Sequence, residues 1–258
     1  PRPAARPAAG TGAPQGPLTR MARLPSLAGP GETLYPLASP APTAPPLWLS
    51  RLMRNAAAAE PGSFSRFLPP DDGGRESAVL LLFGPDPDGA ESLLLIERSH
   101  DMRSHPGQVA LPGGATEPGD ADRVATALRE ATEEVHLDPS GVDVLGTLPP
   151  LFLPPSGFVV TTAVAWWSRP GPVSVGDPNE VAQVLQAPLE FLTDPTVRHT
   201  VTHPSGYRGP AFQLGADLLL WGFTAGVVTK ALELAELDRS WDHSRELPLP
   251  ERFLRGRR

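Results

Sequence analysis

Three carboxylates and one guanidinium stand close together in mid-chain: Arg129, Glu130, Glu133 and Glu134, a short way downstream of a Pro112-Gly113-Gly114 turn. On a helix advancing about 100° per residue, Glu130 and Glu134 lie roughly 40° apart and Glu133 takes the adjoining flank. Val124, Ala127, Leu128, Ala131 and Val135 recur at i, i+3, i+4, i+7 and i+11, an apolar stripe on the opposite side. One face of such a helix packs while the other presents oxygen atoms. Like charges at i, i+4 cost about 0.2–0.5 kcal/mol per pair, so a positive partner should offset them. A hard divalent cation, Mg²⁺ or Mn²⁺, suits carboxylate oxygens. A solvated acidic face is the alternative reading of a lone pair of glutamates.

These residues belong to a longer pattern. Five residues separate Gly114 from Asp120, eight more separate Asp120 from Arg129-Glu130, and Glu133-Glu134 follow. The run resembles the Nudix box, G-x5-E-x7-R-E-U-x-E-E-x-G-U, where U is aliphatic. It departs from the box twice: Asp120 replaces the first glutamate ahead of a spacer one residue longer, and His136 stands where the family has glycine. Upstream, Leu94-Leu95-Ile96-Glu97-Arg98-Ser99, then Arg103, His105, Gly107 and Leu111-Pro112-Gly113-Gly114, resemble the signature of the coenzyme A pyrophosphatase subfamily. That subfamily also tends to carry the aspartate and the longer spacer. Pro155-Ser156-Gly157-Phe158-Val159-Val160, Asn179-Glu180-Val181, Pro188-Leu189 and Trp221-Gly222-Phe223-Thr224-Ala225 look like its later landmarks, so the resemblance covers roughly residues 75–235.

The resemblance implies a metal-dependent pyrophosphohydrolase that cleaves coenzyme A or acyl-coenzyme A to 3′,5′-ADP and (acyl-)4′-phosphopantetheine. It gives Glu130 and Glu134 to Mg²⁺ or Mn²⁺, with Glu133 a further ligand or a holder of the metal's water. The main chain at Gly114 adds an oxygen, and Arg129 locks a glutamate through a bidentate pair. Glu180 is the general-base candidate outside the box, against an ordinary carboxylate at a helix start. Arg98 and Arg103 would neutralise the diphosphate or the 3′-phosphate, or else form surface ion pairs with Glu97 and Asp101. His105 would bond phosphate or fix its loop. Phe158 and Trp166-Trp167 would stack on adenine, or be strand aromatics of the core. Other readings keep the hydrolase and change the substrate to NADH, ADP-ribose or a dinucleotide polyphosphate, or make the domain a non-catalytic ligand sensor. Intact Arg129, Glu130, Glu133 and Glu134 argue against the sensor.

Composition narrows the setting. A net charge of −7 argues against a general nucleic-acid surface, and the absence of cysteine removes thiolate metal sites and thiol nucleophiles. His100, His136, His199, His203 and His243 show no zinc spacing, and no G-x-S-x-G elbow is present. The longest apolar runs fall short of the ~20 residues that span a bilayer, and no signal-peptide pattern is visible, so a cytoplasmic protein with a small-molecule substrate and no membrane partner is expected.

The elements that must position these residues follow from pattern. Residues 1–46 are rich in Pro, Ala and Gly without periodicity and are expected to be disordered, with Met21 a candidate for the true start. The expected domain spans 47–237, with a leading helix at 47–59 and a linker to 75, and 238–258 form a solvated tail. Strands are expected at 77–83, 92–98, 108–111, 142–148 and 158–167, with 211–214 and 218–221 pairing as two more. The box helix should cover about 123–136, capped by Asp120 or Asp122. Residues 181–192 mix helix and turn, and Thr224 caps a last helix. This order gives an α/β class with a mixed sheet between helices. The family resemblance makes it a Nudix-type α/β/α sandwich.

Overall fold

Residues 78–83 and 93–96 are apolar without a break, a pattern that only strands covered on both faces can bury. The computed structural model describes residues 25–35, 43–60, 62, 64, 73–154 and 156–254. Its elements open with β1 (Ser26–Ala28), α1 (Leu47–Ala58), β2 (Arg75–Pro85), β3 (Glu91–Arg98), β4 (Val109–Ala110), β5 (Gly113–Ala115) and α2 (Arg123–Val135). They continue with β6 (Val142–Thr147), β7 (Leu151–Leu153), β8 (Phe158–Trp167), β9 (Val181–Pro188) and α3 (Leu189–Leu192). The final stretch holds β10 (Arg198–Thr202), β11 (Arg208–Gln213), β12 (Leu219–Leu220), α4 (Gly222–Leu234), β13 (Glu246–Pro248) and α5 (Glu251–Leu254).

The main sheet runs β1-β9-β3-β2-β8-β6, with β4, β5 and β7 pairing alongside β3, β2 and β8. β2 and β8 are parallel from Arg75↔Phe158 to Phe83↔Trp166, whereas β3, β9 and β6 each lie antiparallel to their neighbours. The sheet is therefore mixed. Alternation along its strands splits the core in two. Leu80, Leu82, Leu94, Ile96, Ala163 and Ala165 face α2 through Ala127, Ala131 and Val135. Leu81, Phe83, Leu93, Leu95, Val164 and Trp166 face α1 and α4. The result is the expected α/β/α layering, flanked by a smaller sheet in the order β12-β11-β10-β13. Trp166 and Trp167 are buried on opposite faces, which makes them core and not an adenine platform.

Several expectations are corrected. Residues 181–188 form a full strand, and the helix at Leu189–Leu192 starts only at its end. Gln183 and Gln186 interrupt the apolar pattern there, yet Gln186 Nε2 donates to Ser92 Oγ at 2.8 Å and Gln183 Nε2 to Glu97 Oε2 at 2.5 Å. Thr224 lies inside α4, whose start at Trp221 has no side-chain cap. Residues 238–254 do not form a solvated tail: β13 pairs parallel to β10, and Trp241 and Leu249 are buried. Arg255, Arg257 and Arg258, like Met21 and Pro155, lie outside the described residues.

The Pro/Ala-rich stretch also holds structure. Residues 26–28 pair with β9 through Ser26↔Gln186 and Ala28↔Val184, and Leu34 and Tyr35 are buried. Tyr35 packs edge-on against Trp167 at 4.9 Å and donates from its hydroxyl to Pro85 O at 2.5 Å. A segment with no periodicity of its own is thus held by the strand it joins, by Tyr35 and by the bond from Leu34 N to Val173 O at 3.0 Å. A chain starting at Leu47 should therefore melt at a lower temperature, and Tyr35→Ala in the full chain should lose on the order of 3 kcal/mol in urea unfolding. Superimposable unfolding curves for parent and variant would show that this segment adds nothing to the domain.

Candidate active site

The box helix is α2, and its first turn is closed by Asp122, whose carboxylate accepts from Ala125 N at 2.8 Å. Asp120 is thereby left free for another task. Arg129 Nε and Nη2 donate to its two oxygens at 3.0 and 3.1 Å, a bidentate pair, and Thr126 Oγ1 adds a third bond at 2.9 Å. The bidentate partner of Arg129 is thus Asp120 and not a glutamate. Arg129 also reaches Glu133 Oε2 at 3.0 Å, Glu130 Oε1 at 3.1 Å and the Ala115 carbonyl at 3.0 Å. One guanidinium therefore ties the turn, the spacer and the helix together. The Arg129 hydrogen bonds, with the Glu117 N–H, hold the Asp120 carboxyl well below the usual carboxylate range.

Glu134 is 4% exposed, and its Oε2 accepts from Gly113 N at 2.9 Å. Burial pushes its carboxyl up to about 8, against the pull of the Gly113 N–H and of Arg98, and with the help of Glu130 and Glu180. Burial raises Glu130 too, opposed by Arg129 and reinforced by Glu133 and Glu180. In the turn above these side chains, Gly113 has to be glycine. A Cβ on Gly114 would overlap the Glu130 carboxylate, and Gly113, at φ 154°, sits against the Ala78 carbonyl and Val79. Neither contact can be read from the spacing within the helix. The only sequence signal for them is the glycine pair itself.

Glu180 is exposed just before β9, close enough for its charge to act on buried Glu134 and half-buried Glu130. Arg98 ends β3 on the α2 side beside Glu134, re-aimed by a bulge between Glu97 and Arg98. Its Nε is buried without a hydrogen-bond partner. Glu97 faces the other way, to His100 at 3.3 Å and Gln183, so the ion pair of Arg98 with Glu97 does not form. Arg103 and His105 are exposed on the following loop, where His105, at φ 56°, has Nδ1 3.1 Å from Gln108 Oε1. Among the described residues no ion pair joins Arg103 to Asp101. Phe158 sits away from the helix, under the Arg75 guanidinium at 4.3 Å. At the far end of α2, His136 takes the left-handed conformation, φ 53° and ψ 33°, where the box has glycine.

Among the described residues no three carboxylate or imidazole groups stand in a ready-made ligating cluster. The donor set nonetheless fits a hard divalent cation. Glu134 and Glu130 are carboxylates deprived of water, Glu130 raises Glu134, and Glu180 adds a third negative charge beside both. Such a group is destabilising when ionised without a positive partner.

A profile described as the NUDIX domain matches residues 74–200. The "Uncharacterized Nudix hydrolase NudL" of Photorhabdus laumondii is 37% identical over 174 residues, covering 64% of this chain and 90% of that protein. Its namesake from Pectobacterium atrosepticum is 44% identical over 167 residues, covering 63% and 84%. "Nudix hydrolase 22, chloroplastic" of Arabidopsis thaliana is 35% identical, covering 61% of this chain and 54% of that one. Among solved structures, the Nudix hydrolase RenU of M. smegmatis aligns with a TM-score of 0.44 at 20% identity, over 68% of this chain and 98% of its own. A carboxylate-bearing helix beneath a glycine turn, set on a mixed sheet, is the Nudix arrangement. The chain belongs to the Nudix hydrolase family.

The raised Glu134 carboxyl predicts a pH signature in metal-free protein. The unfolded chain releases this proton near 4.5 and the folded chain near 8, so stability is fully present below the lower value and declines between the two. The slope approaches about 1.4 kcal/mol per pH unit. Glu134→Gln removes this group's share of the decline, so with chelator present it should gain on the parent as pH rises from 5 to about 8. Parallel unfolding free energies across that range would contradict the buried, protonated glutamate.

Proposed function

We propose that this chain is a divalent-metal-dependent pyrophosphohydrolase acting on coenzyme A or acyl-coenzyme A. Water adds to one phosphorus of the diphosphate, the bridging P–O bond breaks, and the products are 3′,5′-ADP and 4′-phosphopantetheine or its acylated form. The observation that carries the reading is Arg98: a guanidinium whose Nε is buried and unpartnered beside Glu134, within the signature that precedes the box. A cation held open next to the carboxylates suits an anionic diphosphate. Arg103, exposed further along the same signature, would meet a second phosphate such as the 3′-phosphate.

Mg²⁺ or Mn²⁺, when bound, would neutralise the diphosphate oxygens and sharpen the attacking water. Glu130 and Glu134 would hold it, with Glu133 and the Gly114 main chain as further donors. The protein's own work is alignment. Arg129 fixes Glu130 and Glu133 through its anchorage on Asp120, and the Gly113 N–H aims Glu134. The Glu180 carboxylate accepts the proton of the attacking water. The intact set of Arg129, Glu130, Glu133 and Glu134 supports an enzyme over a ligand sensor, since a sensor has no need to keep the metal carboxylates together.

A substrate panel with Mg²⁺ and with Mn²⁺, products identified by mass, tests this. Coenzyme A should give 3′,5′-ADP and phosphopantetheine, and dephospho-coenzyme A should be the poorer substrate. Faster turnover of NADH, ADP-ribose or a dinucleotide polyphosphate at equal concentration would overturn the substrate assignment.

A further inference from the structure

The loop joining β8 to β9 runs along the last turn of α2 on its way to Glu180, and the two are joined by backbone. Ser174 N donates to Val135 O at 3.2 Å and Gly176 N to Glu134 O at 2.9 Å. Ser174 Oγ lies 3.0 Å from His136 Nδ1. At Gly176 there is no clearance: a Cβ would overlap the Glu133 carbonyl oxygen. Gly176 is not in the left-handed region, so space and not backbone freedom requires the glycine. The obstruction is helix backbone, which cannot swing aside as a flexible side chain would.

From Gly176 the path to Glu180 is short and hydrogen-bonded. Asp177 O accepts from Glu180 N at 3.0 Å and from Val181 N at 2.9 Å, and Asp177 Oδ1 accepts from Asn179 N at 2.8 Å. Ser99 N then donates to Glu180 O at 2.8 Å, which ties the loop to the residue after Arg98. The same helical turn that carries Glu133 and Glu134 therefore sets where the loop starts, and the Asp177 turn sets where Glu180 ends. We infer that Gly176 is a positioning residue, whose flush contact with the α2 carbonyls registers Glu180 against Glu130 and Glu134. The inference rests on the role given to Glu180 in the proposed function and, for the cation, on the negative charge that Glu180 adds beside Glu130 and Glu134. Mere capping of the helix end would use the same hydrogen bonds but would not couple Gly176 to Glu180.

A double-mutant cycle separates the two. Gly176→Ala, Glu180→Gln and the double variant are compared with the full-length parent for Mn²⁺ affinity, read as free Mn²⁺ by electron paramagnetic resonance, and for kcat and KM on coenzyme A. Gly176→Ala should weaken Mn²⁺ binding and lower kcat by about tenfold or more with KM little changed, since misplacement of about 1 Å at a site is costly. In the Glu180→Gln background the same change should cost less than about twofold, because coupled residues are not additive. Equal losses in both backgrounds would overturn the inference and leave Gly176 a helix cap. If Gly176→Ala does not fold, Asp177→Ala, which loosens the exposed turn between the two residues, replaces it in the cycle. A loss that shrinks in the Glu180→Gln background then supports the coupling, and equal losses overturn it. Parent-like Mn²⁺ affinity and kcat in Glu180→Gln would also overturn it. A parent that binds Mn²⁺ but leaves coenzyme A intact would fail the substrate reading alone, and the Mn²⁺ arm would still decide the role of Gly176.

Discussion

The structure turns on a carboxylate that is out of water and short of positive charge. Glu134 is buried under the Gly113–Gly114 turn, with Glu130 and Glu180 close enough to raise its carboxyl further. Folding alone does not favour that arrangement, since ionising a buried carboxyl with only Arg98 and one N–H to offset it is costly. The surroundings are built to hold it in place. The Gly113 N–H takes one oxygen, β5 pins the turn to β2, and the apolar stripe of α2 fixes the helix on the sheet.

The brace around this carboxylate is Arg129, and it explains how a box with an aspartate and a longer spacer still holds its geometry. Asp122 closes the helix, so Asp120, two residues earlier, projects back to receive the guanidinium with both oxygens. Thr126, one turn into the helix, bonds Asp120 as well. The second departure, His136, occupies the left-handed position itself and turns its ring to Ser174.

Legibility in the sequence followed locality. The box helix, expected at 123–136, spans Arg123–Val135, and the strand expected at 158–167 is Phe158–Trp167, because periodicity and capping are local signals. β9 was obscured by Gln183 and Gln186, whose partners Glu97 and Ser92 come from a distant strand. β1 and β13 were hidden for the same reason: short segments with polar or proline neighbours, ordered only by the strands they join. The candidate glutamates and arginines were named from their spacing and family resemblance. The contacts that arrange them were not, since Gly113 to Glu134 and Gly176 to the helix carbonyls are tertiary contacts made by residues without side chains.

Turnover of coenzyme A by a Glu130→Gln, Glu134→Gln double variant in saturating Mg²⁺ or Mn²⁺ bears most directly on the carboxylate site. Both substitutions keep size and helix propensity while removing the two charges. The variant should fold, its kcat should fall by orders of magnitude, and the parent should depend fully on added metal. Near-parental turnover in the double variant would mean that these carboxylates do not hold the metal.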